Sequence, residues 1–471
     1  MKTRYLLFFP LVAGLLYFIS ITGSGCAQIG APTGGPRDSL PPVLINANPK
    51  LFATNFTSDK IVLTFDEYID VQEVQNNVLV SPFPKITPTV DFKLKQVTVK
   101  LKDTLLPNTT YAINFGNAIR DNNEANPYRN FTYVFSTGST IDSLQAKGKV
   151  IIAETGKTDS TIIAMLYRNV DDSAVQKRKP DYISKLDAKG QFRFTNLSGG
   201  KYRLYALKDG DGGKTYNSKI ELFAFAPTDI EVADSTAPIV MYAYAEEKEK
   251  EKPAAPAAAN PRTAQADKRL RITTNLAGNF QELISDLVLT VNRPLKVFDP
   301  QKITLSDTNY NKINAAITLD STARNIRIKT PWAESMHYFL VIDTSALADS
   351  AGTRLAKVDT IRLAAKKESE YGTLLLRFSG LDTSRHPVLQ FVKSEEVIKS
   401  VPIVSAEWRD RLFVPGEYEI RILYDDNNNG IWDPGNYALK KQPEKAITVD
   451  TRLLIKANWD NEREVKLLPI E

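Results

Sequence analysis

The sequence predicts an all-β chain built from four tandem β-sandwiches. Three observations lead there. Apolar residues alternate with polar ones in short runs split by turn clusters, the pattern of half-buried antiparallel strands. The second half repeats landmarks of the first at a nearly fixed offset. The chain has one cysteine, Cys26, so each sandwich holds together by packing without a disulfide.

The first 25 residues differ from the rest. Lys2 and Arg4 precede an apolar run from Tyr5 to about Ile21, and Gly23-Ser24-Gly25-Cys26 closes it. A basic start, an apolar stretch and small residues make a secretory signal with a cleavage site. The run is short against the roughly 20 residues of a membrane span. The order resembles a bacterial lipobox, with Gly23 where a Leu-like residue is usual. The resemblance implies cleavage after Gly25 and lipid on Cys26, and several acyl chains make such an anchor stable. The protein is then expected on the outer membrane. Its leaflet is open, with a lean to the periplasmic side because no acidic run follows Cys26.

Residues 26–42 are rich in Gly, Pro and small side chains and read as a tether. In residues 43–138, Ile61, Leu63 and Phe65 alternate with Val62 and Thr64, and Tyr111, Ile113 and Phe115 repeat the pattern. Val97, Val99 and Leu101 do the same, as do Phe131, Tyr133 and Phe135. Turn clusters such as Asp121-Asn122-Asn123 separate the runs. The segments PPVLINANP, IVLTFDEYID, LPNTTYAINFGNAIRDNNEANP and FTYVFSTG resemble the bacterial Ig-like domain of S-layer proteins and of Bacteroidota lipoproteins. The resemblance implies a fold and says little of function.

Residues 139–245 carry Gly190-Gln191-Phe192-Arg193-Phe194 and then Gly200-Lys201-Tyr202-Arg203-Leu204. This resembles the prealbumin-like sandwich of carboxypeptidase-regulatory and related cell-surface modules. Residues 246–267, EEKEKEK followed by Pro/Ala, read as a linker. Residues 268–365 and 366–471 then repeat the pair: Tyr338 falls 227 residues after Tyr111, and Tyr418 falls 216 after Tyr202.

Composition excludes some functions. Net charge is +5, and removing Lys2 and Arg4 leaves 5 − 2 = +3, spread too evenly to indicate nucleic acid. The two histidines join no catalytic motif. His337 reads as packed in a strand, and His386 as a loop residue before Pro387. Asp66 and Glu67 are adjacent and point to opposite faces of a strand, poor geometry for paired acid–base work. Gly213-Lys214-Thr215 lacks the earlier glycine and the helix of a phosphate loop.

The best metal candidate is Asp425-Asp426-Asn427-Asn428-Asn429-Gly430-Ile431-Trp432-Asp433. Asp425, Asn427, Asn429, the Ile431 carbonyl and Asp433 match calcium-loop spacing, with Gly430 at the sharp turn. Tyr437 stands where the bidentate glutamate would be. The competing reading is a polar hairpin turn. Asp209-Gly210-Asp211-Gly212-Gly213 is the poorer counterpart in the first half. No cofactor is required, and calcium is the one candidate.

Asp-Ser/Thr pairs recur, and they resemble the O-glycosylation sequon of Bacteroidota envelope proteins. The acceptors implied are Ser39, Thr104, Ser143, Ser160, Ser173, Ser235, Ser321, Ser350 and Thr360; such pairs also favour turns. The expected function is a non-enzymatic, lipid-anchored envelope protein that engages an outer-membrane protein. The alternative is a glycan-binding accessory lipoprotein of a polysaccharide-uptake system, with Trp332, Trp408 and Trp432 offering sugar-stacking faces.

Overall fold

The computed structural model describes residues 14, 17, 37–168, 172–248 and 269–467. Cys26, the signal, most of the tether and most of the linker lie outside the described residues. The chain divides into two compact units, Met1–Ile141 and Asp142–Glu471.

The first unit is an Ig-like sandwich. One sheet orders Leu44–Asn48, Lys60–Phe65, Gln96–Lys100 and Thr89–Lys93; the other orders Leu79–Ser81, Thr110–Asn114 and Thr132–Ser136. A ribbon pairs Ile69–Val71 with Ile119–Asp121. Ile61, Leu63, Phe65, Val97 and Val99 face inward from the first sheet, as the period of two requires. Thr132–Ser136 is buried on both faces from Tyr133 onward. The chain at Phe52–Ala53 bonds along its edge, with the Phe52 N–H donating to the Val134 carbonyl and the Ser136 N–H to the Ala53 carbonyl, both at 2.8 Å, and the Tyr133 hydroxyl donates to the Pro49 carbonyl at 2.7 Å. Burial pushes that hydroxyl's pKa up to about 12.

The second unit begins with a sandwich of two sheets. Gln191–Leu197, Leu144–Ile152 and Ile239–Ala243 form one. Tyr182–Lys185, Ile163–Arg168, Gly200–Leu207 and Phe223–Phe225 form the other, with Ile230–Val232 beside Gly200–Leu207. Phe192, Phe194, Tyr202, Leu204 and Ala206 meet in its core.

The remaining sheets repeat the order of the earlier ones, with Phe280–Gln281 added beside Asp359–Ala365 in the sheet that also holds His337–Ile342 and Ile303–Ser306, and Lys445–Ile455 standing where Phe223–Phe225 and Ile230–Val232 stood. Ile272–Thr274, Leu287–Val291, Asn325–Lys329 and Ala316–Leu319 follow the order of the first Ig-like sheet, and Leu295–Phe298 with Leu347–Asp349 repeats its ribbon. Glu407–Phe413, Gly372–Ser379 and Asp460–Lys466 repeat the three-stranded sheet, including its parallel pair. Glu396–Pro402, Pro387–Lys393, Gly416–Tyr424 and Lys445–Ile455 complete the last sandwich.

The tyrosines that set the sequence offset serve one purpose in both halves. Tyr111 accepts the Leu106 N–H at 2.8 Å, and Tyr338 accepts the Ala333 N–H at 2.9 Å. The Tyr202 hydroxyl donates to the Ser198 carbonyl at 3.0 Å, and that of Tyr418 to the Val414 carbonyl at 2.8 Å. Each buried ring thereby sends its hydroxyl to a backbone group of the turn that leads into its own strand.

Candidate functional site

The loop 425–433 closes the hairpin between Gly416–Tyr424 and Lys445–Ile455. Asp425 is fully buried, and its carboxylate accepts the Asn429 N–H at 3.1 Å and the Gly430 N–H at 2.5 Å. The Asn427 and Asn429 side-chain oxygens accept the N–H groups of Asn429 and Ile431. Their amide nitrogens both donate to Asp433. Behind the turn sits Glu444, 3% exposed, which accepts the Asp426 and Asp433 N–H groups at 3.0 and 2.9 Å. Burial first, then the carboxylates of Asp425 and Asp433, raise its pKa above the usual carboxylate range.

The acceptor oxygens bind the loop's own N–H groups, and the amide nitrogens turn toward the acid that would complete the coordination. Among the described residues, no group of three or more His, Cys, Asp or Glu is placed to hold a metal. The counterpart loop is also self-bonded: Asp211 accepts the Gly213 N–H at 2.7 Å, and Asp209 accepts that of Lys214. Glu221 stands where Glu444 stands, since Phe223 opposite Leu207 matches Ala446 opposite Leu423. The loop's own spacing does not mark this pair, because each glutamate arrives from the returning chain, beyond the loop.

Tyr437, which replaces the expected calcium ligand, has a different task. It is 5% exposed and lies in a cluster whose other buried members all come from 153–244. Its ring centroid is 5.1 Å from Phe223, 5.4 Å from Phe225 and 5.9 Å from Tyr205. Its hydroxyl donates to the Asp172 carbonyl at 2.5 Å and lies 3.1 Å from the Tyr205 hydroxyl, while its N–H donates to Glu246 at 2.9 Å. Burial first, then the Tyr205 hydroxyl, raises the Tyr437 pKa.

The first and last sandwiches of the second unit therefore dock on each other. The Ala446 N–H donates to the Ala153 carbonyl at 2.7 Å, Thr448 Oγ1 to the Thr155 carbonyl at 2.7 Å, and Lys157 pairs with Glu419 at 3.1 Å. Gly435 permits the approach: a Cβ there would lie 2.5 Å from the Tyr244 ring.

Other sequence candidates land as follows. Trp332 is buried and donates to the Ser285 carbonyl, and Trp408 packs on Phe391. Trp432 is half-buried beside Tyr437 and donates to the Glu444 carbonyl. The three expected sugar-stacking indoles are thus packing residues, and Trp459, 62% exposed, is the open one. His337 is exposed rather than packed, because its neighbour Tyr338 takes the inward position. His386 lies in a loop, with its ring nitrogen 3.3 Å from the Asp425 carbonyl. Asp66 caps the first strand by accepting the Val43 N–H at 2.8 Å. Burial and the nearby carboxylates of Asp121 and Asp66 raise the Glu67 pKa.

Ser39, Thr104, Ser143, Ser160, Ser235, Ser321, Ser350 and Thr360 are exposed, whereas Ser173 is half-buried at the start of a short helix. Asp121 and Asp349 occupy equivalent turns. Asp121 accepts four backbone N–H groups between 2.6 and 3.0 Å. Burial works to raise its pKa, and those four donors outweigh burial and lower it. Asp349 accepts the Thr353 and Ala351 N–H groups and pairs with Arg293 at 3.1 Å.

The sheets, the paired tyrosines and the buried turn aspartates define a protein of tandem Ig-like β-sandwiches. Residues 38–137 match the family model of the bacterial Ig-like domain. Comparison with curated protein sequences gave no match. Among solved structures, the chain is similar to a fragment of Escherichia coli alpha-2-macroglobulin spanning domains MG0-NIE-MG1. Identity is 12%, TM-score 0.20, with 41% of this chain and 91% of that one covered. The Bacillus anthracis TIE protein matches at 11% identity and TM-score 0.18 over 92% of this chain and 76% of that one. BcpA, the major pilin subunit of Bacillus cereus, matches at 8% identity and TM-score 0.16 over 68% and 99%.

Proposed function

We propose that the chain is a non-enzymatic, lipid-anchored envelope protein that engages an outer-membrane protein. Cys26 carries the lipid, and the sandwiches present loops and edge strands to the partner. One observation supports this above the others. The buried acids that could carry chemistry among the described residues, Asp121, Asp349, Asp425 and Glu444, are each engaged by backbone N–H groups of the turns they support. They build architecture rather than a reactive cleft. The matched family, an Ig-like structural domain, fits the same reading.

The test is a pull-down from solubilised membranes with a C-terminal tag, read by mass spectrometry against Cys26→Ala. An outer-membrane protein enriched with wild type alone is the expected result. Equal recovery with Cys26→Ala would remove the anchor from the account, and no specific partner would remove the interaction. We also propose that the exposed Asp-Ser/Thr acceptors carry glycans and that Ser173 does not. The loop 425–433 is proposed as a polar turn that holds Trp432 and Tyr437 in place without calcium.

A further inference from the structure

The sandwich 142–248 carries a basic face on its three-stranded sheet. Along Leu144–Ile152, Ala146 and Val150 are buried, so Gln145, Lys147 and Lys149 point outward. Gln191 and Arg193 point the same way from Gln191–Leu197. The register sets Lys147 directly opposite Arg193, and Lys149 opposite Gln191. Like charges facing each other across a sheet destabilise it unless something neutralises them.

Among the described residues, no carboxylate pairs with Lys147, Lys149 or Arg193. The Arg193 guanidinium donates twice to Gln145 Oε1, at 3.0 and 2.6 Å. Those two bonds fix the guanidinium over the face without cancelling its charge. Lys185 lines the same groove. The one acid lining it, Asp187, is engaged by the Lys189 and Gln191 N–H groups, both at 2.8 Å. The groove holds about 860 Å³, within the 300–1,000 Å³ or so of small-ligand clefts.

The second copy of the sandwich shows that topology does not require this charge. There the equivalent strand is Gly372–Ser379, with Leu374, Leu376 and Phe378 turned inward. Its outward Arg377 lies between Glu407 at 3.2 Å and Glu462 at 2.8 Å. There the central arginine is held between two carboxylates, whereas Arg193 is held by an uncharged amide.

We infer that the Lys147–Lys149–Arg193 face binds an acidic polysaccharide, a polymer whose sugars carry carboxylates. The cations match the carboxylates, the Gln145 amide nitrogen can donate to ring hydroxyls, and the Gln191 amide can both donate and accept. No exposed aromatic ring lines the groove to stack a base, which disfavours single-stranded nucleic acid. The charges line a recess, which a planar bilayer does not enter.

The test uses the full chain in detergent with polygalacturonate oligomers, followed by calorimetric titration. Binding is expected at 50 mM salt, weakened strongly at 500 mM as screening shortens to a few ångströms. A neutral glucan should not bind. Lys147→Glu with Lys149→Glu should weaken binding at least tenfold at unchanged melting temperature. The milder Lys147→Gln/Lys149→Gln pair should fall between. Three results would each overturn the inference: no binding of polygalacturonate, binding unchanged by the glutamate pair, or equal binding of polyglutamate or phosphatidylglycerol vesicles.

Discussion

Tyr437→Ala tests whether the first and last sandwiches of the second unit act as one body. The ring is 5% exposed and touches Phe223, Phe225 and Tyr205 across the contact. Large-to-small truncation of a buried aromatic costs about 3–5 kcal/mol. The hydroxyl adds its bond to the Asp172 carbonyl and its contact with Tyr205, so Tyr437→Phe alone should cost about 1–2 kcal/mol. The loss falls on the docking and not on the sandwich that bears the residue. That sandwich's core is Leu374, Leu376, Leu389, Phe391, Ile420 and their neighbours, without Tyr437. Calorimetry should therefore show the second unit's transition fall by about 6–10 °C, taking roughly 2 °C per kcal/mol for a unit of this size, and broaden or split. Hydrogen exchange should rise at 216–225 and 437–446 and stay low at 374–378. A Tyr437→Ala protein that melts within 2 °C of wild type as one transition would refute the reasoning.

Other outcomes follow from the same geometry. Tyr111→Phe and Tyr338→Phe each strip the acceptor from one part-buried N–H and should cost about 0.5–1.5 kcal/mol apiece, read by denaturant titration. Asp121→Ala should cost on the order of 2–4 kcal/mol, since four N–H groups lose their acceptor. The lowered pKa values of Asp121 and Asp349 give stability that is present above the ordinary carboxylate pKa, near 4, and lost as pH falls through the folded values. Asp121→Asn with Asp349→Asn should flatten the fall in melting temperature below pH 4. Glu444 acts in the opposite sense: its raised pKa means folding strengthens as pH drops through the folded value, so Glu444 offsets part of that acid loss. Calcium at 1 mM should leave the melting temperature within 1 °C; saturation a hundredfold above Kd would add about 2.7 kcal/mol and reveal a site.

Much of the fold was legible because strand alternation is a local signal. Ile61, Leu63 and Phe65 announce an inward face whatever lies beyond them. The repeat was legible because Tyr111 and Tyr338, and Tyr202 and Tyr418, bond a backbone group only five or four residues away. The docking of the first and last sandwiches of the second unit was not legible. It joins Tyr437 to Tyr205 across 232 residues, and no local pattern marks a ring that leaves its own core. Glu444 was hidden for a smaller reason: it lies eleven residues beyond the turn whose N–H it accepts, outside the loop's own spacing. The indoles misled because an aromatic beside turn residues reads as exposed, whereas Trp332 and Trp432 fold back to donate to carbonyls. His337 misled in the opposite direction, since one step of strand register decides which of two neighbours faces inward.

The most direct test of the account is the intact mass of the protein recovered from the membrane fraction. The account predicts a chain that begins at Cys26 and carries diacylglycerol and an amide-linked acyl group, lost together with membrane retention in Cys26→Ala. A chain that keeps residues 1–25, or one with an unmodified Cys26 thiol, would contradict it.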